Sequence, residues 1–256
     1  MIRARALSRR GAAWIGFFGA TLLAWAGLHA MVVSSGLDGM PPGIWAALCA
    51  GAAEASFPAL GAMWGLMVAA MMLPTFAPTF GTFIDLVHAG AARHRDAVAL
   101  VAGYLGVWGG AALIGAVMQA GLARAGLVAP DGSSLSLWFT AGLCLAAGLY
   151  QFSVFKAACL AKCRMPLGFF MERWRPGPVR AAAMGAELGL ACLGCCWALM
   201  ALAFVGGTMN LLWMGAAMIF MAAEKMPAIG RLLTRPAGWG LLAGGAVAAL
   251  AAATAG

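Results

Sequence analysis

The chain has 256 residues, 64% of them hydrophobic and 9% charged, with a formal net charge of +8. A soluble domain of this length cannot hide that much apolar surface, which excludes an ordinary water-soluble globule. The apolar runs do not alternate, which excludes a β-barrel and predicts an all-α, polytopic bundle of membrane-spanning helices.

Seven spans are predicted. The first, about Gly11–Val33, follows the basic stretch "RARALSRR". Its apolar run of about 23 residues is longer than the h-region of a signal peptide, so it reads as an uncleaved anchor. Pro41–Ala53 is apolar but short and is expected to lie along the interface. The second span, Pro58–Val87, carries Pro74 and Pro78, which predict a kink or a break. Met63, Met67 and Met71 make a stripe on it, with Met72 adjacent. The third span is Ala97–Leu122. The fourth is Leu135–Phe155 and includes Tyr150 and Gln151 near its end.

A basic loop carrying Cys159 and Cys163 leads to the fifth span, Val179–Gly206, which contains "CLGCCWALM" from Cys192 to Met200. The sixth, Met209–Ala223, is short. Its stripe of Met214, Met218 and Met221 continues to Lys225, which with Glu224 is expected at the cytoplasmic interface. The seventh, Pro236–Ala255, is mostly Ala, Gly and Leu. The 36 glycines of the chain suit close helix packing in lipid. No linker or charge block divides the chain, so residues 1–256 read as one integral membrane domain. Residues 63–225 would be its metal-binding core, 1–33 an N-terminal anchor and 236–256 a C-terminal span.

Charge orients this layout. Arg3, Arg5, Arg9, Arg10, Arg93, Arg95, Lys156, Lys162, Arg164, Arg173, Arg175, Arg180, Lys225, Arg231 and Arg235 fall on one side, and Arg124 alone on the other. The positive-inside rule makes the first side cytoplasmic, with the N-terminus inside and the C-terminus outside, as in a bacterial inner membrane protein. The basic excess is then explained by topology and anionic lipid, and gives no reason to expect nucleic acid.

The seven cysteines are Cys49, Cys144, Cys159, Cys163, Cys192, Cys195 and Cys196. Their odd, scattered count does not suggest a disulfide framework. Cys192, Cys195 and Cys196 share one face of a helix by their i, i+3, i+4 spacing. Cys159-Leu160-x-x-Cys163 repeats the pattern of Cys192-Leu193-x-x-Cys196. Three readings fit the trio: packing, since free Cys is a small hydrophobe; a soft-metal site; and thiol–disulfide chemistry, which mid-helix geometry would strain. The 17 methionines tilt the metal choice, because thioether beside thiolate favours Cu(I) over zinc. Met71, Met214 and Met218 are the candidate thioether ligands, against the plain alternative that Met stripes fill cores. His29, His88 and His94 are badly placed for a shared site. Glu187, inside Gly185-x-x-x-Gly189, pairs with a cation, carries a proton or reaches the interface.

"MWGLMVAAMMLPTFAP", "GLYQ" with Lys156, "CLAKCRMP", "GLACLGCCWALM", "GTMN" and the "EK" that closes span six follow one another here. In this the chain resembles the bacterial predicted metal-binding integral membrane proteins. Some members of that family look like copper chaperones for tyrosinase-like oxidases. The resemblance covers about Met63 to Lys225. Val154 stands where members often have a proline, and Leu188 where some have a histidine directly before the glycine that precedes the cluster. The site it implies is therefore more purely sulfur. It implies Cu(I) held by Cys192, Cys195 and Cys196 and handled for a partner copper oxidase, with Cys159 and Cys163 as a cytoplasmic point of arrival or departure. Secondary metal transport and membrane thiol oxidoreduction are the other classes compatible with the residues. No P-loop motif is present for an ATP-driven pump.

Overall fold

The computed structural model describes residues 2–35, 57–129 and 131–255, and these are helical almost throughout. The helices, in order, are α1 (Ile2–Ser35), α2 (Phe57–His88), α3 (His94–Arg124), α4 (Leu137–Gln151), α5 (Val154–Arg164), α6 (Pro166–Arg173), α7 (Pro178–Ala201), α8 (Ala203–Gly206), α9 (Leu211–Lys225) and α10 (Gly230–Ala255). The one β-type pairing among the described residues is an isolated bridge between Val128 and Ser134. Pro41–Ala53 and Cys49 lie outside the described residues.

Among the described residues, five helical stretches are long and apolar enough to cross a membrane: Arg10–Val33, Phe57–His88, His94–Arg124, Pro178–Gly206 and Gly230–Ala255. A sixth is reached if α4 and α5 together make one span, but they meet at an angle of 64°. The sequence predicts seven. The seventh would be α9, whose 15 residues cover only about 22 Å at the α-helical rise. That falls short of a hydrocarbon core of about 30 Å.

Local chemistry explains the breaks. Ser136, Ser153 and Asn210 cap α4, α5 and α9, each accepting a bond from the backbone N–H three residues on. The cap at Ser153 starts a new helix directly after α4 and so creates the bend. The predicted basic loop is therefore α5 followed by α6, and Cys159 and Cys163 stand on a helix. Of the kink or break that its prolines predict in α2, the break does not occur: Phe57–His88 is one helix of 32 residues. Pro74 cannot donate to the carbonyl of Ala70. Trp25 on α1 does so instead, through Nε1 at 3.0 Å. The orphaned acceptor is thus satisfied by a neighbouring helix.

Small residues set the helix spacing around the centre. Gly185 and Gly189 of α7 face the backbone of α3 at Leu100 and Tyr104, and Gly103 faces Ala182 and Ala186 in return. A Cβ at Gly185 or Gly103 would overlap a main-chain carbonyl, so α3 and α7 pack backbone to backbone and run parallel. On the other side, α10 packs antiparallel on α4, with Gly148 and Gly245 receiving Leu242 and Leu145. α2 lies against α3, α1 against α2, and α5 against α7. The cysteine face of α7 therefore looks into the middle of the bundle, between α2, α3, α5 and α9.

Candidate metal centre

Cys192, Cys195 and Cys196 are all buried on α7, and their sulfurs lie within 4.8 Å of one another. Cys195 Sγ and Cys196 Sγ are 3.3 Å apart, and the Cys195 thiol also reaches the Cys192 carbonyl at 3.1 Å. These three are the one group of metal-ligating side chains found together among the described residues. The donor set is sulfur alone, which suits a soft ion better than a hard one.

The surroundings of Cys192 are polar. Lys225, the last residue of α9, places Nζ 3.0 Å from Cys192 Sγ and 2.7 Å from Thr75 Oγ1 on α2. Tyr104 of α3 puts its hydroxyl 3.1 Å from Cys192 Sγ and donates to the Met72 carbonyl at 3.2 Å. Its ring stacks on Phe76, with centroids 4.1 Å apart. A buried ammonium beside a thiol favours the thiolate, the form that ligates metal, and offsets negative charge that the bundle could not otherwise solvate. Lys225 and Glu224 were expected at the interface; both are buried. The reason is that each has a dedicated partner inside the bundle.

Glu224 pairs with Lys156 of α5 at 2.8 Å, and the two side chains are 2% and 1% exposed. Arg164, at the end of α5, donates to the Glu224 carbonyl through Nε and Nη2 at 2.9 and 2.8 Å. The last turn of α9 is thus a hub. Glu224 holds α5 and Lys225 reaches α2 and α7. Lys156 and Lys225 are consequently not loop charges, as the orientation count had taken them to be.

Cys163 on α5 borders the same small cavity as Cys192, Thr75, Tyr104 and Lys225. Cys159, one turn earlier, packs on bare backbone at Gly194, where an added Cβ would fall 2.6 Å from its sulfur. The Tyr150 hydroxyl donates to the Gly194 carbonyl and fixes the end of α4 on the same stretch.

The candidate thioethers gather elsewhere. Met71 of α2, Met200 of α7 and Met214 of α9 line a separate small cavity. Met200 stands one helical turn past Cys196, about 6 Å along the axis. Met214 and Met221 are buried, while Met218 is partly buried against the core. Cys144 is buried on α4 and free. Glu187 is bonded by Arg173 at 2.7 and 2.8 Å, with Lys162 at 3.6 Å, so of its three readings the structure shows the pairing with a cation. His29, His88 and His94 are exposed, away from the thiols.

Sequence reasoning passed over Tyr104, Thr75 and the burial of Lys225. The available signal was a Glu224–Lys225 pair closing an apolar run, since ionisable residues inside a membrane bundle mark functional candidates. Tyr104 is a polar-tipped side chain in the apolar run of α3, and it carried the same signal more weakly.

An all-α, apolar bundle enclosing a three-thiol cluster that could bind a metal defines the class: a helical protein with a buried cysteine cluster suited to a metal. A family model described as copper chaperone, PpoB2, matches residues 61–248, and the chain belongs to that family. No curated protein and no solved structure matches it significantly.

Proposed function

We propose that this protein is a multi-pass inner-membrane copper chaperone that binds Cu(I) at Cys192, Cys195 and Cys196 and passes it to a partner copper oxidase. The observation that carries the reading is the buried all-sulfur trio beside the Lys225 ammonium. Copper is cargo here. Two thiolates around Cu(I) leave one negative charge, and the buried ammonium at 3.0 Å from Cys192 Sγ offsets it. Membership of a copper chaperone family supports the choice of ion. Copper analysis of protein purified under reducing conditions tests the reading. One Cu(I) per chain is expected, and bound zinc with no copper would refute it.

The reading keeps one integral membrane domain, with residues 63–225 as its metal-binding core, residues 1–33 as an anchor and 236–256 as a final span. It has seven crossings, with α9 as the short one, and the N-terminus in the cytoplasm. Its support is the positive-inside asymmetry of the loop residues and the directions of the helices. α3 and α7 run parallel, while α4 and α10 run antiparallel, as that threading requires. Reporters fused after Arg10 and after Ala255 are expected to be active in the cytoplasm and the periplasm respectively. The reverse pattern at either end breaks the topology.

A thioether completes the site in this reading. Met221 and Met218 lie on α9 between Lys225, which touches Cys192, and Met214, which shares a small cavity with Met200. Met71 of α2 borders the same cavity as Met200 and Met214. Changing Met214, Met218 and Met221 together to Leu preserves volume and apolarity. Cu(I) affinity is expected to fall by about tenfold, on the scale of losing a supporting ligand, with expression unchanged. Affinity equal to wild type would return these methionines to packing.

A further inference from the structure

We propose that Cys163 is the transfer thiol through which Cu(I) moves between the buried trio and the α5 face of the bundle, by way of a transient Cys163–Cys192 site. The inference rests on the trio being the copper site and adds the route to it. The two cysteines of α5 are equivalent in sequence pattern, but the fold separates them. Cys159 Sγ is pressed against the main chain at Gly194 and is not among the residues lining the cavity beside Cys192. Cys163 is the α5 residue that borders that cavity, together with Cys192 of α7.

The cavity itself suits a transfer site. It has a volume of about 10 Å³ and is lined by Cys163 from α5, Cys192 from α7, Thr75 and Thr79 from α2, Tyr104 from α3 and Lys225 from α9. A space of this size holds about one small atom. Two sulfurs from different helices border it. Cys163 is also half-buried, whereas every member of the trio is fully buried. A cargo ion that must reach a dry site needs a ligand on both sides of the threshold, and Cys163 is the thiol in that position.

The exchange balances without redox change. A Cu–S bond forms at Cys163 while one breaks at Cys195 or Cys196. The proton leaving the Cys163 thiol is taken up by the released thiolate, and the ion stays Cu(I) throughout. Thiol exchange of this kind proceeds through a mixed-ligand intermediate, so the incoming sulfur must be within reach before the outgoing one leaves. The docking of α5 by Lys156–Glu224 and Arg164 supplies that proximity.

The test uses full-length reduced protein in detergent, loaded with Cu(I) and mixed rapidly with the soluble Cu(I) chelator bathocuproine disulfonate. Cys163→Ser is expected to slow copper release by about tenfold or more. Its equilibrium affinity should stay within about threefold of wild type, because the trio is intact. Cys159→Ser should release copper at the wild-type rate. Cys163→Ala serves as a second variant, and full copper stoichiometry in it shows that the bundle is intact. Release unchanged in both Cys163 variants overturns the proposal. So does a loss of affinity as large as that of Cys196→Ser, which would make Cys163 a permanent ligand. Wild-type protein that binds no Cu(I) would instead refute the trio as the copper site, a result visible before any variant is compared.

Discussion

Serine at both Cys195 and Cys196 is expected to abolish Cu(I) binding while the protein still inserts and folds. The sulfurs of these residues lie 3.3 Å apart and share one 4.8 Å cluster with Cys192. The double change leaves one thiol of three, and a hydroxyl is a poor ligand for a soft ion. Removing a supporting outer-shell partner from a metal site typically costs about 10–100-fold in affinity. Losing two direct ligands should exceed that range. Sulfur-to-oxygen exchange barely changes side-chain volume, so packing explains little of the loss. Competition titration against a Cu(I) chelator measures it. Copper held at full stoichiometry and wild-type affinity would mean that the trio is a packed core element.

The second large effect is expected at the Lys156–Glu224 pair. Both groups are almost wholly buried, 2.8 Å apart, and Glu224 Oε1 has no hydrogen-bond partner among the described residues. Glu224→Gln removes the countercharge and strands an ammonium in the bundle. Breaking a buried pair from one side costs about 3–5 kcal/mol. Lys156→Met strands the carboxylate and should cost a similar amount. The double variant Lys156→Met with Glu224→Leu removes both charges and should be milder than either single change, since replacing a buried pair by apolar groups is often close to neutral. Thermal unfolding in one detergent, at one protein concentration, reads all three. Single variants that melt like wild type would show that the pair does not hold α5 to α9. The structural consequence reaches the metal site, because Cys163 is carried on the helix that this pair docks.

Much of the fold was legible because an apolar bundle writes its helices as apolar runs. The predicted ends of α2, α3 and α7 differ from the observed ones by a few residues, and the i, i+3, i+4 spacing was enough to place three thiols on one face. The rest depended on contacts between distant segments. Nothing local distinguishes a basic loop from a short helix capped by Ser153 and docked by its own lysine. Hence α5 and the different surroundings of Cys159 and Cys163 were not visible. Lys225 looked interfacial because lysines near helix ends usually snorkel to water. Its burial follows from Thr75, Tyr104 and Cys192, residues that lie 150, 121 and 33 positions away in the chain. Pro74 was expected to disturb α2, and the carbonyl it orphaned was met by Trp25 of α1, a partner that only the packed bundle provides.

The account depends most on sulfur-ligated Cu(I) inside the bundle. X-ray absorption at the copper edge, on protein loaded under reducing conditions, examines that claim directly. A Cu(I) edge with a shell of sulfur neighbours only is expected, lost together with the copper when Cys195 and Cys196 are replaced by serine. A shell of nitrogen or oxygen neighbours, or an unchanged copper signal in the serine variant, would contradict it.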